Sequence, residues 1–369
     1  MGTLYKSVLL NIFGPVIYST IEQPMSTYSF KNDYSEGAHP DILNALIQSN
    51  LSQQSGYGDD EYSREAVRLI KERIANPEAG VFLVSGGTQA NLIVIASVLR
   101  PYESVIAAAT GHINVHEAGA IEATGHRIEA VNTPEGKLRP EDVLSVLGKF
   151  EEVHMTRPRM VYISNATEIG TLYTRQELSD LSACCREHGL YLFMDGARLG
   201  SALCAQINDI TFPDLARYTD VFYIGGTKNG TLLGEAIVIN HQDLQKDFLY
   251  HLKQRGALMA KGRVLGVQFV ELFKGDLFFE MARHANGLAA KLSAGIQALG
   301  YPLLTVSYTN QIFPVLPNAV IDKLLQQFDF YRWQKMDGDR AAIRLVTSWA
   351  TPEEAVNLFI DALKAIAGE

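Results

Sequence analysis

An α/β fold is what this 369-residue sequence predicts: a mainly parallel central sheet with helices on both faces, followed by a smaller C-terminal α+β unit. Three observations predict it. Short apolar runs recur near 81–84, 104–109, 127–131, 159–163, 190–194, 220–224 and 236–239, and helical patterns such as 141–150 and 175–188 separate them. From Gln242 onward the pattern turns helical, and a helix over 281–299 opens a unit in which Arg344 lies within an apolar run. Several of the apolar runs end in glycine-containing turns, the usual place for function in such sheets. The expected organisation is an N-terminal arm over 1–50, a large domain over 51–275 and a small domain over 276–369. There is no internal repeat, low-complexity tract or long linker.

The first 24 residues fit this pattern least well. Lys6 followed by Val8-Leu9-Leu10-Asn11-Ile12-Phe13 has a faint signal-peptide character, but Asn11, Gly14 and Pro15 break the apolar run. It is also far too short to span a bilayer. An arm packing on a partner subunit, or a native start at Met25, is the expectation.

The run Val81-Phe82-Leu83-Val84 leads into Ser85-Gly86-Gly87-Thr88-Gln89-Ala90-Asn91 and a helix. Strand, glycine turn and helix start form an anion cradle: free N–H groups and the positive end of the helix dipole favour phosphate, and the Thr88 hydroxyl adds a donor. The turn lacks the glycine spacing of dinucleotide and P-loop motifs, so it suits a small monophosphate. The next run, Val105 to Ala109, ends in Thr110-Gly111-His112 and, further on, His116-Glu117-Ala118-Gly119. An imidazole at a strand end can lie flat on a ring and move protons; His116 and His126 are read as capping or core histidines.

Tyr191-Leu192-Phe193-Met194 ends in Asp195-Gly196-Ala197-Arg198, and Val221-Phe222-Tyr223-Ile224 ends in Gly225-Gly226-Thr227-Lys228-Asn229-Gly230. A lysine and an acid at the ends of two strands are the two groups needed to hold pyridoxal phosphate. The lysine must lose its proton to form a Schiff base, which desolvation favours. The acid must stay ionised, so that the pyridine nitrogen remains protonated and the ring accepts electrons. Each motif alone also reads as an ordinary surface turn.

Composition narrows the partners. With 32 Lys and Arg against 41 Asp and Glu the net charge is -9, which argues against nucleic acid or anionic membrane as partner. The 47% hydrophobic content is that of a globular core. Cys184, Cys185 and Cys204 have neither metal-ligand spacing nor a disulfide framework, so no metal is expected and a reducing cytoplasm is the expected compartment.

From about Phe30 to the C-terminus the chain resembles the low-specificity L-threonine aldolases, within the aromatic amino acid β-eliminating lyase group of fold-type I pyridoxal-phosphate enzymes. The resemblance is carried by Asp59-Asp60-Glu61-Tyr62, Ser85 to Asn91, His112 with Glu117-Ala118-Gly119, Asp195 to Leu199, Lys228, and Arg344-Leu345-Val346-Thr347-Ser348-Trp349. It implies Lys228 as the Schiff-base lysine, Asp195 as the pyridinium partner, Gly87 and Thr88 as the phosphate cup, and His112 as the stacking imidazole. It implies that Arg198 and Arg344 grip the substrate carboxylate, a task suited to a planar fork. His154 is similar to a second active-site histidine, Lys261 stands where members carry a basic residue reaching the phosphate, and Tyr62 resembles a tyrosine lent by a neighbouring subunit in a homodimer or homotetramer.

Two departures stand out. Where many members read Arg-Ser-Asp-Thr, Phe30-Lys31-Asn32-Asp33-Tyr34 puts Asn32 in the place of the serine near the carboxylate. The usual Glu-Asn-Thr-His-Asn run becomes Asn165-Ala166-Thr167-Glu168-Ile169-Gly170, which removes a histidine from beside the cofactor. The expected reaction is cleavage of L-threonine or L-allo-threonine to glycine and an aldehyde, with His112 or His154 taking the β-hydroxyl proton. The alternatives are β-elimination from another amino acid and, from a different class, a nucleotide-binding oxidoreductase or binding module.

Overall fold

The computed structural model describes residues 27–149 and 152–368, so the expectations for the first 24 residues lie outside the described residues. The large sheet has seven strands: β1 (Gly80–Val84), β2 (Glu103–Ala108), β3 (Ile128–Val131), β4 (Arg157–Ser164), β5 (Tyr191–Asp195), β6 (Val221–Gly225) and β7 (Glu235–Ile239), one for each expected apolar run. Their order is β1-β7-β6-β5-β4-β2-β3. Pairing is parallel from β6 through β3, and β7 alone runs antiparallel between β6 and β1.

Both faces of this sheet are buried, which is why its strands read as continuous apolar runs instead of alternating ones. Successive residues still point to opposite sides. Ile106, Val161, Ile163, Leu192, Met194, Phe222 and Ile224 enter one core, while Val105, Ala107, Met160, Tyr162, Phe193, Val221 and Tyr223 enter the other. Helices α1 (Pro40–Ser49), α2 (Glu61–Arg73), α3 (Gly87–Val98), α4 (Arg175–Glu187), α5 (Arg263–Phe273), α6 (Leu277–Ala298) and α7 (Glu353–Ala367) accompany the two sheets. Helix α4 starts where Thr174 and Glu177 cap each other reciprocally, an arrangement that satisfies two otherwise orphaned N–H groups.

A third core lies at the C-terminal end. Strands β8 (Val315–Pro317), β9 (Tyr331–Lys335) and β10 (Arg340–Val346) form an antiparallel sheet against α6 and α7. The N-terminal segment belongs here as well: Tyr28 and Ser29 pair with Phe328 and Asp329, and Phe30 is fully buried. Its ring meets Tyr28 at 4.8 Å, Phe359 at 5.6 Å and Phe328 at 6.1 Å. Helix α6 joins the units, since Phe278 and Met281 pack in the first core and Leu288, Leu292 and Ile296 in the third. Among the described residues no helix is long and apolar enough to cross a membrane.

Because Phe30 ties the start of the chain to its end, truncating it costs more than an exposed change elsewhere on the same segment. Phe30→Ala is expected to lower the unfolding free energy by ~3–5 kcal/mol, measured by denaturant titration, with Tyr34→Ala as the mild control.

Candidate active site

The topology gathers one edge. Strands β2, β4, β5 and β6 run parallel, so their C-terminal ends lie together, and the turns that follow carry His112, Glu168, Arg198 and Lys228. The exit of β1 and the entry of β7 reach the same edge, adding Ser85 to Thr88 and Glu235. The C-terminal sheet closes the other side with Tyr331, Trp333 and Arg344. Together these residues, with Tyr34, His116 and Tyr223, line a cavity of about 690 Å³. A second cavity, about 190 Å³ and walled by residues such as Val81, Phe82, Leu252 and Leu265, holds none of this chemistry.

Asp195 lies beneath the cavity, 3% exposed. Its Oδ2 accepts from the Tyr162 hydroxyl at 2.6 Å and Asn91 Nδ2 at 3.1 Å, and its Oδ1 from the Tyr223 hydroxyl at 2.5 Å and the Ala197 N–H at 2.9 Å. Burial opposes its charge, but the neighbouring His112 and these donors hold its pKa below the ordinary aspartate value. Lys228 is pushed the other way: burial and the Arg198 guanidinium lower its pKa, against the pull of Asp33, Asp195 and Glu235. An ionised acid and a readily deprotonated amine are thus set side by side. Gly196 is obligatory at this turn, because a Cβ would stand 1.9 Å from the Tyr223 carbonyl oxygen.

At the other end of the cavity α3 begins at Gly87, with Gly86 supplying no side-chain cap, so its first-turn N–H groups are free for a ligand. A Cβ on Gly87 would meet the Tyr223 hydroxyl at 2.9 Å. Thr227 and Glu235 complete this wall, and Glu235 Oε2 accepts from the Gly226 N–H at 2.9 Å, fixing the turn that carries Lys228.

His112 opens a short helical turn after β2, and burial drives its pKa down to about 4, so its imidazole is neutral at ordinary pH. Its Nε2 lies 4.0 Å from Glu117 Oε1. Glu117 is turned inward by two consecutive left-handed residues, Ala118 (φ 51°) and Gly119 (φ 75°), and accepts from Asn91 at 2.8 Å. His116 does cap, as expected: it closes the short turn that His112 opens, its backbone N–H donating to the His112 carbonyl at 2.9 Å, and its ring also lines the cavity between His112 and Trp333. His126 is a core histidine, buried with Nδ1 against the Glu103 carbonyl at 3.1 Å.

The two arginines differ. Arg198 Nε and Nη2 are bonded to Asp33 Oδ2 and Oδ1 at 2.7 and 3.1 Å, so an internal carboxylate already occupies that side of its fork. Arg344 packs over Tyr331 and Trp333 at 5.3 and 5.0 Å, donates to the Lys31 carbonyl at 3.1 Å, and keeps a buried Nε with no partner. A guanidinium N–H is costly to bury without an acceptor.

Several expected residues stand elsewhere. Asn32 does not reach toward the cavity: its Oδ1 accepts from the Tyr34 N–H and the Ser35 hydroxyl, both at 3.0 Å, so the amide closes a local turn, and it is the neighbouring Asp33 that bonds Arg198. His154 is exposed ahead of β4, at the opposite edge of the sheet, paired with Glu152 at 3.5 Å. Tyr62 lies under Arg263 at 5.2 Å, and Lys261 is exposed just ahead of α5; neither lines this chain's cavity. Sequence reasoning missed Asp33, Asn91, Tyr162, Tyr223, Glu168 and Glu235. The two tyrosines look like plain strand residues, and only their ends at the cavity edge distinguish them.

Residues 34–319 match the β-eliminating lyase family model. The chain is 33% identical to the low-specificity L-threonine aldolase of Pseudomonas aeruginosa over 93% of its own length and 99% of the relative's, and 26% identical to that of Saccharomyces cerevisiae over 84% and 78%. The structure of a Leishmania major threonine aldolase superposes with a TM-score of 0.91 at 50% identity, covering 92% of this chain and 99% of that one. A Thermus thermophilus aspartate aminotransferase shares the fold at a TM-score of 0.70 and 16% identity. The chain belongs to the β-eliminating lyase family.

Three carboxyls at the site carry a stability signature. Burial raises Glu117 and Glu168 to about 7 and Glu235 to about 8. These pKa values lie above those of the unfolded chain, so the stability they confer is complete below about pH 4.5 and is lost as pH rises through 7 to 8. Glu117→Gln is therefore expected to raise the melting temperature at pH 8 and leave it nearly unchanged at pH 5. The gain at pH 8 is at most ~3 kcal/mol, and equal melting shifts at both pH values would show that Glu117 does not titrate between them.

Proposed function

We propose that this member of the β-eliminating lyase family uses pyridoxal phosphate to cleave L-threonine, L-allo-threonine and related L-β-hydroxy-α-amino acids into glycine and an aldehyde. The observation that carries the reading is one cavity holding a lysine of lowered pKa, a buried ionised aspartate, a neutral imidazole and an arginine with a free N–H. The names of the relatives support the substrate. The donor set fits the cofactor: Gly87 leaves room at the start of α3, Thr88 and the first-turn N–H groups suit its phosphate, and Lys228 suits its aldehyde. When bound, the cofactor supplies an electron-accepting ring for the pair released from the breaking bond.

The protein's own residues do the rest. Asp195, kept ionised by the Tyr162, Asn91, Tyr223 and Ala197 donors, would keep the ring nitrogen protonated. His112, neutral, offers a flat face without adding positive charge beside the ring. Arg344 binds the substrate carboxylate through Nε, and Arg198, pinned by Asp33, supports it from the opposite side. Fixing the carboxylate fixes which bond at Cα stands perpendicular to the ring, and that choice separates cleavage from elimination. Tyr62 and Lys261, which lie outside this chain's cavity, are assigned to the cavity of a neighbouring copy in a homodimer or homotetramer, on the strength of the family resemblance. The three free cysteines support the reducing cytosol as the compartment.

Incubation with L-threonine decides the reaction: glycine with acetaldehyde supports cleavage, whereas a 2-oxo acid with ammonia supports elimination. Lys228→Ala should abolish turnover and the visible absorption of the cofactor-bound protein while the chain stays folded. Arg344→Leu should raise KM and lower kcat together, with cofactor content unchanged. Recovery of Arg344→Leu by added cofactor alone would move Arg344 from the substrate to the phosphate.

A further inference from the structure

The segment Asn165 to Gly170, where this chain departs from the commoner family run, supplies the residue for which the cleavage reaction still lacks an assignment. Breaking the Cα–Cβ bond requires a group to take the β-hydroxyl proton. The histidines are poor candidates. His154 stands at the far edge of the sheet, and His112, with a pKa driven down to about 4, is a weak base. His116 sits further out against Trp333. Of the buried carboxylates, Glu117 lies behind His112 with a side chain that is wholly buried, and Glu235 is bonded into the Lys228 turn.

Glu168 differs from both. It follows the end of β4, lines the cavity, and is held by two donors that converge on a single oxygen: the His112 backbone N–H at 3.0 Å and the Ser164 hydroxyl at 2.7 Å, both to Oε1. That geometry fixes one carboxylate oxygen against the His112 backbone and leaves Oε2 for a ligand. We propose, on the basis of the cleavage reaction above, that Glu168 is the catalytic residue that accepts the β-hydroxyl proton of the substrate. The O–H bond breaks toward Glu168, its electron pair becomes the second bond of the aldehyde carbonyl, and the Cα–Cβ pair passes to the cofactor-bound Cα. Protonation of Cα then completes glycine, so one proton leaves the hydroxyl and one is returned to carbon.

The surroundings tune Glu168 for this task. Burial raises its pKa to about 7, with Asp195 pushing in the same direction and the Ser164 hydroxyl and the His112 N–H pulling it back. The other titratable groups facing it are Arg198, Tyr162 and Tyr173. A base whose pKa lies near the working pH is the most effective one. Because the ionised form is needed, kcat should fall as pH drops below about 7.

The test uses the cofactor-loaded enzyme and three readouts: cofactor absorbance, exchange of the glycine α-hydrogen with deuterated solvent, and threonine cleavage across pH. In Glu168→Gln the absorbance should persist and cleavage should fall by ~10² to 10⁴, while α-hydrogen exchange, which needs no β-hydroxyl, falls far less. The acidic limb of the pH profile should disappear. Ser164→Ala gives an independent check, since losing its hydroxyl should move that limb to higher pH. Near-normal cleavage in Glu168→Gln, equal loss of exchange and cleavage, or an unmoved limb in Ser164→Ala would each overturn the assignment of Glu168. Failure of the unmodified enzyme to release glycine and acetaldehyde would instead overturn the cleavage reading itself, and the assignment with it.

Discussion

The buried carboxylate of Asp195 is the constraint on which the rest of the site depends. An isolated ionised carboxylate in a protein interior is untenable without donors, and this one has four, from β4, the turn after β5, β6 and α3 by way of Tyr162, Ala197, Tyr223 and Asn91. The same bonds that keep it charged therefore lock together the strand ends forming the floor of the cavity. Gly196 and Gly87 are consequences of that crowding: each lies where a side chain would collide with Tyr223.

Charge at the cavity is apportioned by burial and partner. Asp33 is kept ionised by Arg198 and Asp195 by its hydrogen-bond donors, while the glutamates at 117, 168 and 235 titrate near neutral pH. Were all five carboxyls ionised, their mutual repulsion and the presence of a phosphate would make the site costly to assemble. Instead two permanent anions face the cationic groups, and three carboxyls remain able to gain or lose a proton near neutral pH, the property required of acid and base groups. Glu117 and Glu235 use their oxygens to position Asn91 and the Lys228 turn, whereas Glu168 presents itself to the cavity.

Closure by the C-terminal sheet adds what the large sheet lacks. Arg344 comes from β10, and its guanidinium is flattened between Tyr331 and Trp333 of β9, which limits the orientations of its fork. Phe30 and Asp33 come from the other end of the sequence. One anchors the third core and the other clamps Arg198, so the segment around residues 30–33 and the C-terminal sheet meet at the place where a substrate carboxylate would be read.

The sequence by itself determined the seven strands, because strands buried on both faces leave uninterrupted apolar runs. It also determined the turns bearing Thr88, His112, Asp195 and Lys228, because strand-end turns are local and rich in glycine. Strand order and direction, which bring those turns to a single edge, required the tertiary structure, as did every contact made across it. Asp33 paired with Arg198 is 165 residues away from it in the chain, and no local pattern marks such a partner. For the same reason Asn32 and His154 were legible as residues of suitable chemistry, and only the fold places them outside this cavity. The roles of Tyr162, Tyr223 and Glu168 depended on burial, which sets both the direction a strand-end side chain takes and the proton it holds. Burial is a property of the folded chain as a whole, and a residue's neighbours in sequence carry only part of it.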